Sequence, residues 1–134
     1  MVCIHCGSKT QVINSRHQVR NNQVWRRRQC KQCKAVFTTE ETPQYNSEWV
    51  IKTKNGALRP FSRDKLQSSI YISCKHRNTA LEDASGLTDT IIKKLSQDIQ
   101  NGVLEMQTIN QVTQVALNRF DKAASVHYQA FHKD

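Results

Sequence analysis

The chain has 134 residues, enough for one average domain or two small ones, with 20 Lys/Arg against 11 Asp/Glu, a net charge of +9 and a pI near 9.6. That balance favours polyanionic partners such as nucleic acid, an anionic membrane or a nucleotide. It comes with no apolar run near the roughly 18 residues of a helical membrane span, and the opening MVCIHCGSKT lacks the apolar core of a signal peptide.

The expected compartment is therefore the cytoplasm, where paired cysteines more often hold metals than form disulfides. The charge is uneven. Residues 1–46 carry eight Lys/Arg against two Glu, a surplus of +6, and the remaining two thirds of the chain carry only +3.

Residues 1–46 read as a small β unit. QVINS and QVWRR are short strands joined by a turn in RHQVRNN, and AVFTT is a third strand. Apolar residues are sparse, and a domain this small rarely folds without a staple. The staple is legible: Cys3, Cys6, Cys30 and Cys33 form C-x2-C, a 23-residue gap and C-x2-C. Each C-x2-C folds as a knuckle aiming two sulfurs at one point, and two knuckles bracketing a hairpin make a tetrahedral S4 site suited to one Zn²⁺ per chain. A redox-active C-x2-C would accompany a βαβ pattern, and none is present. His5 sits inside the first knuckle as a bystander, and Cys74 is expected to be buried filler on a helix.

The stretch WRRRQCKQC runs three arginines into the second knuckle, so the metal fixes their backbone. Arg26, Arg27 and Arg28, with Arg16 and Arg20 from the other arm of the hairpin, are the candidate nucleic-acid contacts, and Trp25 beside them offers a stacking surface. Alternation along a strand means that the three consecutive arginines cannot all face one ligand. The expected division is one or two on phosphates and one at a base edge. The competing reading is an ordinary solvated charge run.

Thr42–Ser47 reads as a linker, and a second unit fills residues 47–134. EWVIKTKNGALRPF is a β-hairpin turning at Asn55-Gly56. Ser62 and Asp64 start a helix carrying Leu66, Ile70, Ile72 and Cys74. Thr79 and Glu82 form a candidate capping box for a second helix, whose Leu87, Ile91, Ile92, Leu95 and Ile99 keep a 3–4 period until Asn101-Gly102 stops it. MQTINQVTQVALNRF and DKAASVHYQAFHKD supply the last two helices. The fold class is α+β: a metal-stapled β domain, then a hairpin and about four helices. His76, His127 and His132 are scattered, no carboxylate pair or nucleophile triad converges, and an S4 site leaves no open coordination position, so an enzyme is not expected. Lys52, Lys54 and Lys65 read, on composition alone, as exposed surface lysines.

The stretch MVCIHCGSKTQVINSR…WRRRQCKQCKAVFTTEE resembles the N-terminal zinc ribbon of the NrdR family, bacterial repressors of ribonucleotide reductase genes, whose pattern runs C-P-x-C, V-I-D-S-R and R-R-R-x-C-x-x-C-x-x-R-F-T-T-x-E. VIKTKNGALRPFSRDKL, SCKHRNTA and FDKAAS resemble segments of the ATP-cone that follows the ribbon in that family. The resemblance implies a repressor of ribonucleotide reductase genes whose ribbon, residues 1–46, binds double-stranded DNA. Its cone, residues 47–134, would sense ATP or dATP through Lys52, Lys54 and Lys65 and so set a homo-oligomer. The chain departs from the family at Asn14 (Asp), Val36 (Arg), Thr53 (a phosphate-binding Lys) and Arg59 (Glu). Those departures leave a second expectation: a nucleic-acid-binding ribbon whose cone serves self-association only.

Overall fold

Three strands build the N-terminal sheet: β1 (Thr10–Gln18), β2 (Gln23–Cys30) and β3 (Val36–Glu41), antiparallel in the order β1-β2-β3. The computed structural model describes residues 1–133, and the chain divides into two compact units, one spanning Met1–Pro43 and one from Gln44 onward. In the first, Arg16 lies across from Trp25, and Arg27 sits between Asn14 and Thr38. A bulge between Val12 and Asn14 shifts the β1–β2 register by one residue. This places Asn14 and Arg16 on the same side of the sheet as Trp25 and Arg27.

Between Met1 and Pro43 the buried apolar residues are Cys3 and Cys30 alone, and Val12, Ile13, Val19 and Val36 are exposed. The first unit thus has no hydrocarbon core.

The second unit has α1 (Tyr45–Glu48), β4 (Val50–Lys52), β5 (Leu58–Pro60), α2 (Arg63–Ser73), α3 (Ala80–Asp98), β6 (Val103–Glu105), α4 (Met106–Phe120) and α5 (Lys122–Phe131). The hairpin expected over 48–61 is β4–β5, with the Gly56 amide bonded to the Thr53 carbonyl. Three features differ from the sequence reading. Tyr45–Glu48, overlapping the end of the expected linker, is one helical turn whose Tyr45 ring packs 4.7 Å from Trp49. Val103–Glu105 is a strand that pairs in parallel with β4, so the sheet has three strands in the order β5-β4-β6. Thr79 does not form a capping box with Glu82: its hydroxyl bonds Asp83, which Arg77 also holds at 2.9 Å.

The expected apolar stripes pack together. Phe61, Ile70, Ile91, Leu95 and Leu117 are the large fully buried side chains, and Trp49 meets Phe61 edge-on at 5.3 Å. Cys74 is buried in this core as expected, but Ile72 points outward. Ser62 caps α2 by accepting the Lys65 amide. Asp121 caps α5 by accepting the Ala124 amide at 3.0 Å, and its other oxygen meets Arg77 at 3.1 Å and His76 at 3.0 Å. The Arg77 guanidinium also lies 4.5 Å over the Phe120 ring, so one arginine ties α3, α4 and the start of α5 together.

After α3, Asn101 and Gly102 both take positive φ, and the Gly102 carbonyl accepts the Val50 amide at 2.8 Å. A Cβ on Gly102 would lie 2.8 Å from the Glu48 carbonyl oxygen, so only glycine fits this close approach. Among the described residues, no helix is long and apolar enough to cross a membrane.

Candidate metal centre and nucleic-acid interface

The two knuckles have matching backbones. Gly7 follows Cys6 with φ +72 and Lys34 follows Cys33 with φ 62, so each loop closes on a left-handed residue after its second cysteine. Glycine takes that conformation freely in the first knuckle, whereas lysine is strained in the second. The Lys34 ammonium turns back onto the Lys31 carbonyl at 2.9 Å. The Gly7 amide bonds the Cys3 carbonyl, and the Cys30 amide bonds the Ala35 carbonyl. A Ser8–Gln32 side-chain hydrogen bond joins the two knuckles, a contact between polar loop residues that the sequence does not signal.

This scaffold gathers the four expected cysteines: all four sulfurs lie within 4.8 Å of one another. Cys3 and Cys33 are 3.7 Å apart and Cys6 and Cys30 are 3.4 Å apart, each pair drawn from different knuckles. Sulfurs about 2.3 Å from a tetrahedral zinc stand roughly 3.8 Å from each other, so the donor set matches that ion in chemistry and in scale. Backbone amides support the sulfurs, from His5 to Cys3 and from Gln32 and Cys33 to Cys30, each at 3.4 Å. His5 takes part through its backbone only.

The electrostatics of the quartet also call for a cation. The Ser8 hydroxyl and amide bring the Cys6 thiol down to about 6. The Cys33 amide lowers Cys30. The Ala35 amide also pulls Cys33 down, but burial and the sulfurs of Cys30, Cys6 and Cys3 outweigh it and push that thiol up to about 12. Four thiols this close cannot all ionise beside one another, and a divalent ion removes the conflict.

The sheet above the quartet separates the candidate arginines. On one face the Arg26 guanidinium bonds the Glu41 carboxylate at 3.1 and 3.3 Å and reaches Ser15 at 3.5 Å, and Arg28 donates to the Thr39 hydroxyl at 3.2 Å. On the other face Asn14, Arg16, Trp25, Arg27 and Thr38 line a concavity of about 440 Å³. Trp25 and Arg27 there are exposed. Arg20 is exposed in the turn joining β1 and β2. The alternation rule therefore separates Arg27 from Arg26 and Arg28, while Glu41 and Thr39 are partners the sequence reading missed; the x-T-x-E alternation of β3 was the signal.

The three candidate lysines lie on the hairpin and the helix after it. Lys52, on β4, pairs with Glu105 of β6 at 3.6 Å, while Lys54 is exposed in the turn and Lys65 is exposed in the first turn of α2. Thr53, in the position of a family lysine, is turned into the hairpin and bonds Asn55 and the Ala57 carbonyl. Glu105 was not legible as a partner, because its strand was not.

Comparison with known proteins agrees with this division of the chain. Residues 1–41 match the family model for the N-terminal domain of transcriptional repressor NrdR-like proteins, and residues 49–134 match the ATP cone domain. The chain is 32% identical over 138 residues to a transcriptional repressor NrdR of Leptothrix cholodnii, covering 100% of this chain and 90% of the relative. It is 31% identical to a transcriptional repressor NrdR of Halorubrum lacusprofundi (99% of this chain, 82% of the relative) and 33% identical to one of Phenylobacterium zucineum (100% and 86%). Two knuckles on a three-stranded ribbon, followed by a cone-type hairpin and helices, place this chain in the NrdR family of transcriptional repressors.

Proposed function

We propose that the protein is a zinc-dependent repressor that binds double-stranded DNA through its ribbon, is controlled by ATP or dATP at its cone, and acts on ribonucleotide reductase genes. Cys3, Cys6, Cys30 and Cys33 hold one zinc. Arg16, Arg20, Arg26, Arg27 and Arg28 give the ribbon the positive charge that draws it to DNA, and Lys52, Lys54 and Lys65 meet the nucleotide phosphates. The observation that carries the reading is the four-sulfur cluster at the foot of an arginine-bearing sheet, in a chain whose two parts match the two family models. Repression under nucleotide control is a linkage: the nucleotide must bind one homo-oligomer better than another, and only one of them spaces its ribbons for an operator.

Zinc here supplies folding rather than chemistry, since four thiolates close its coordination shell. The ribbon's residues do the remaining work. Their backbone is fixed by the knuckles, and the guanidiniums release counterions from the duplex as they bind.

Calorimetric titration of ATP and dATP into the zinc-loaded protein, followed by DNA binding with each nucleotide, tests the whole reading. Heat from at least one nucleotide, with a change in oligomer and in DNA affinity, is the expected result. A second reading, in which the cone serves self-association only, is favoured by specific observations. Lys52 is engaged by Glu105, Thr53 is occupied within its own turn, and Arg59 stands where the family has Glu. No heat from either nucleotide on folded protein selects that reading.

A further inference from the structure

The two faces of the ribbon sheet are not equivalent as DNA-binding surfaces. On the face that carries Arg26 and Arg28, the guanidiniums are occupied: Arg26 by Glu41 and Arg28 by Thr39. A phosphate approaching Arg26 must compete with a carboxylate already 3.1 Å away. On the opposite face Trp25 stands 40% exposed, directly across from Arg16 on β1, with Arg27 next along β2 and Asn14 across from Arg27. These side chains line the 440 Å³ concavity together with Thr38. An exposed indole flanked by two guanidiniums offers a ligand a large apolar surface that the fold itself does not use.

We infer that the ribbon meets duplex DNA with its Trp25 face, the indole making an apolar base contact between Arg16 and Arg27, while Arg26 remains with Glu41 as a brace of the sheet. The inference rests on the DNA-binding reading above and specifies which surface carries it. Three features support duplex DNA as the occupant. The first 46 residues carry +6, which complements a polyanion. Strands of a sheet can read a DNA groove, and β1 with β2 of this three-stranded sheet presents Asn14, Arg16, Trp25 and Arg27 on one side. Trp25 and Arg27 are two residues apart, about 6.6 Å along a strand, which is about two base steps.

The residue types also match base edges: arginine pairs with guanine, asparagine with adenine, and an apolar ring covers a thymine methyl. Glu40 lies on the same face, across from Trp25 on β3. The Asn14 and Arg16 side of Trp25 is therefore the side that suits phosphate, and Glu40 marks the edge a phosphate avoids. Trp25 is on this reading a specificity-determining residue, and Arg16 and Arg27 are its flanking anchors.

The test uses the full, zinc-loaded chain and a duplex selected from a random-sequence pool, with an unselected duplex as reference. Trp25→Ala is expected to weaken the selected duplex about tenfold and to leave the slope of log affinity against log salt unchanged, so that the selected-to-unselected ratio collapses. Trp25→Phe restores most of the ratio. Arg27→Ala lowers both the ratio and the salt slope, whereas Arg26→Ala changes the ratio little. The second tryptophan, Trp49, is only 8% exposed in the helical unit, so the acrylamide-accessible emission belongs to Trp25 and should become protected on DNA saturation.

Unchanged quenching at saturation, or Arg26→Ala as damaging to the ratio as Trp25→Ala, overturns the face assignment while DNA binding itself stands. If the wild-type protein binds neither duplex, the functional reading fails and the face assignment fails with it.

Discussion

Removing the metal should unfold one unit and spare the other. In the Met1–Pro43 unit the buried apolar residues are the thiols of Cys3 and Cys30, and no aliphatic or aromatic side chain there is buried. A fully buried Leu or Val would contribute about 1.5–3 kcal/mol, and the unit has none. A structural zinc site is worth about 10–16 kcal/mol, comparable to the whole stability of an ordinary small domain, about 5–15 kcal/mol. The metal thus accounts for essentially all of the ribbon's net stability. Stoichiometric chelation, or Cys30→Ser, should leave Thr10–Gln18, Gln23–Cys30 and Val36–Glu41 exchanging amide hydrogens at the rate of an unstructured peptide. The amides of α3 and α4, packed on Ile91, Leu95 and Leu117, should stay protected. DNA binding should be lost in parallel. Persistent protection of the three strands after the metal has been shown to be gone would refute the reasoning.

Other outcomes follow from individual side chains. Replacing Arg26, Arg27 and Arg28 together by Ala should reduce the salt slope of DNA binding by about one unit for each phosphate that is no longer neutralised, and an unaltered slope would mark the triplet as a solvated charge run. Lys65→Ala should weaken the calorimetric ATP or dATP response at least several-fold, and an unchanged titration would remove that lysine from the nucleotide site. Gly102→Ala should destabilise the helical unit by more than about 1 kcal/mol, because its Cβ meets the Glu48 carbonyl at 2.8 Å. Gly86→Ala, exposed within α3 with nothing within 4 Å, should stabilise it by about 0.5–1 kcal/mol, so denaturant midpoints should move in opposite directions.

The Ala124 amide, His76 and Arg77 hold the Asp121 carboxyl well below the usual carboxylate range, and Arg77 with Thr79 lowers Asp83. A group depressed in the folded state stabilises fully above its unfolded value, near 3.9, and loses that contribution as pH falls through the folded value. Melting temperature should therefore drop on acidification below pH 4 less steeply for Asp121→Asn than for the wild type.

The cysteine quartet was legible because a metal site is written in spacing and residue type, and four thiols bracketing a turn leave few alternatives. The long helices were legible for a similar reason: Ile91, Ile92 and Leu95 repeat the period that buries them. The strand Val103–Glu105 was not, since three residues after an Asn-Gly stop have no period of their own and become a strand only against β4. The capping box at Thr79 and Glu82 failed because a better acceptor arrangement was available. Arg77 holds Asp83 where it accepts the Thr79 hydroxyl, which turns that hydroxyl away from the helix amides it would cap.

Among the site residues, alternation separated Arg27 from its two neighbours. It could not say which neighbours share its face on β1, because the bulge before Asn14 resets that register. The pairing of Lys52 with Glu105 was hidden for the same reason as its strand.

The placement of β6 beside β4 has a consequence for the order in which the molecule is made. The ribbon's last strand ends at Glu41, so its sheet and both knuckles are complete before any of the second sheet has been made. The central strand of the second sheet ends at Lys52 but gains its parallel neighbour only when Glu105 has emerged. At about 5–20 residues per second, that is a wait of roughly 3–10 s during which one edge of β4 is unpaired. The ribbon is thus complete on the ribosome several seconds before the sheet of the second unit.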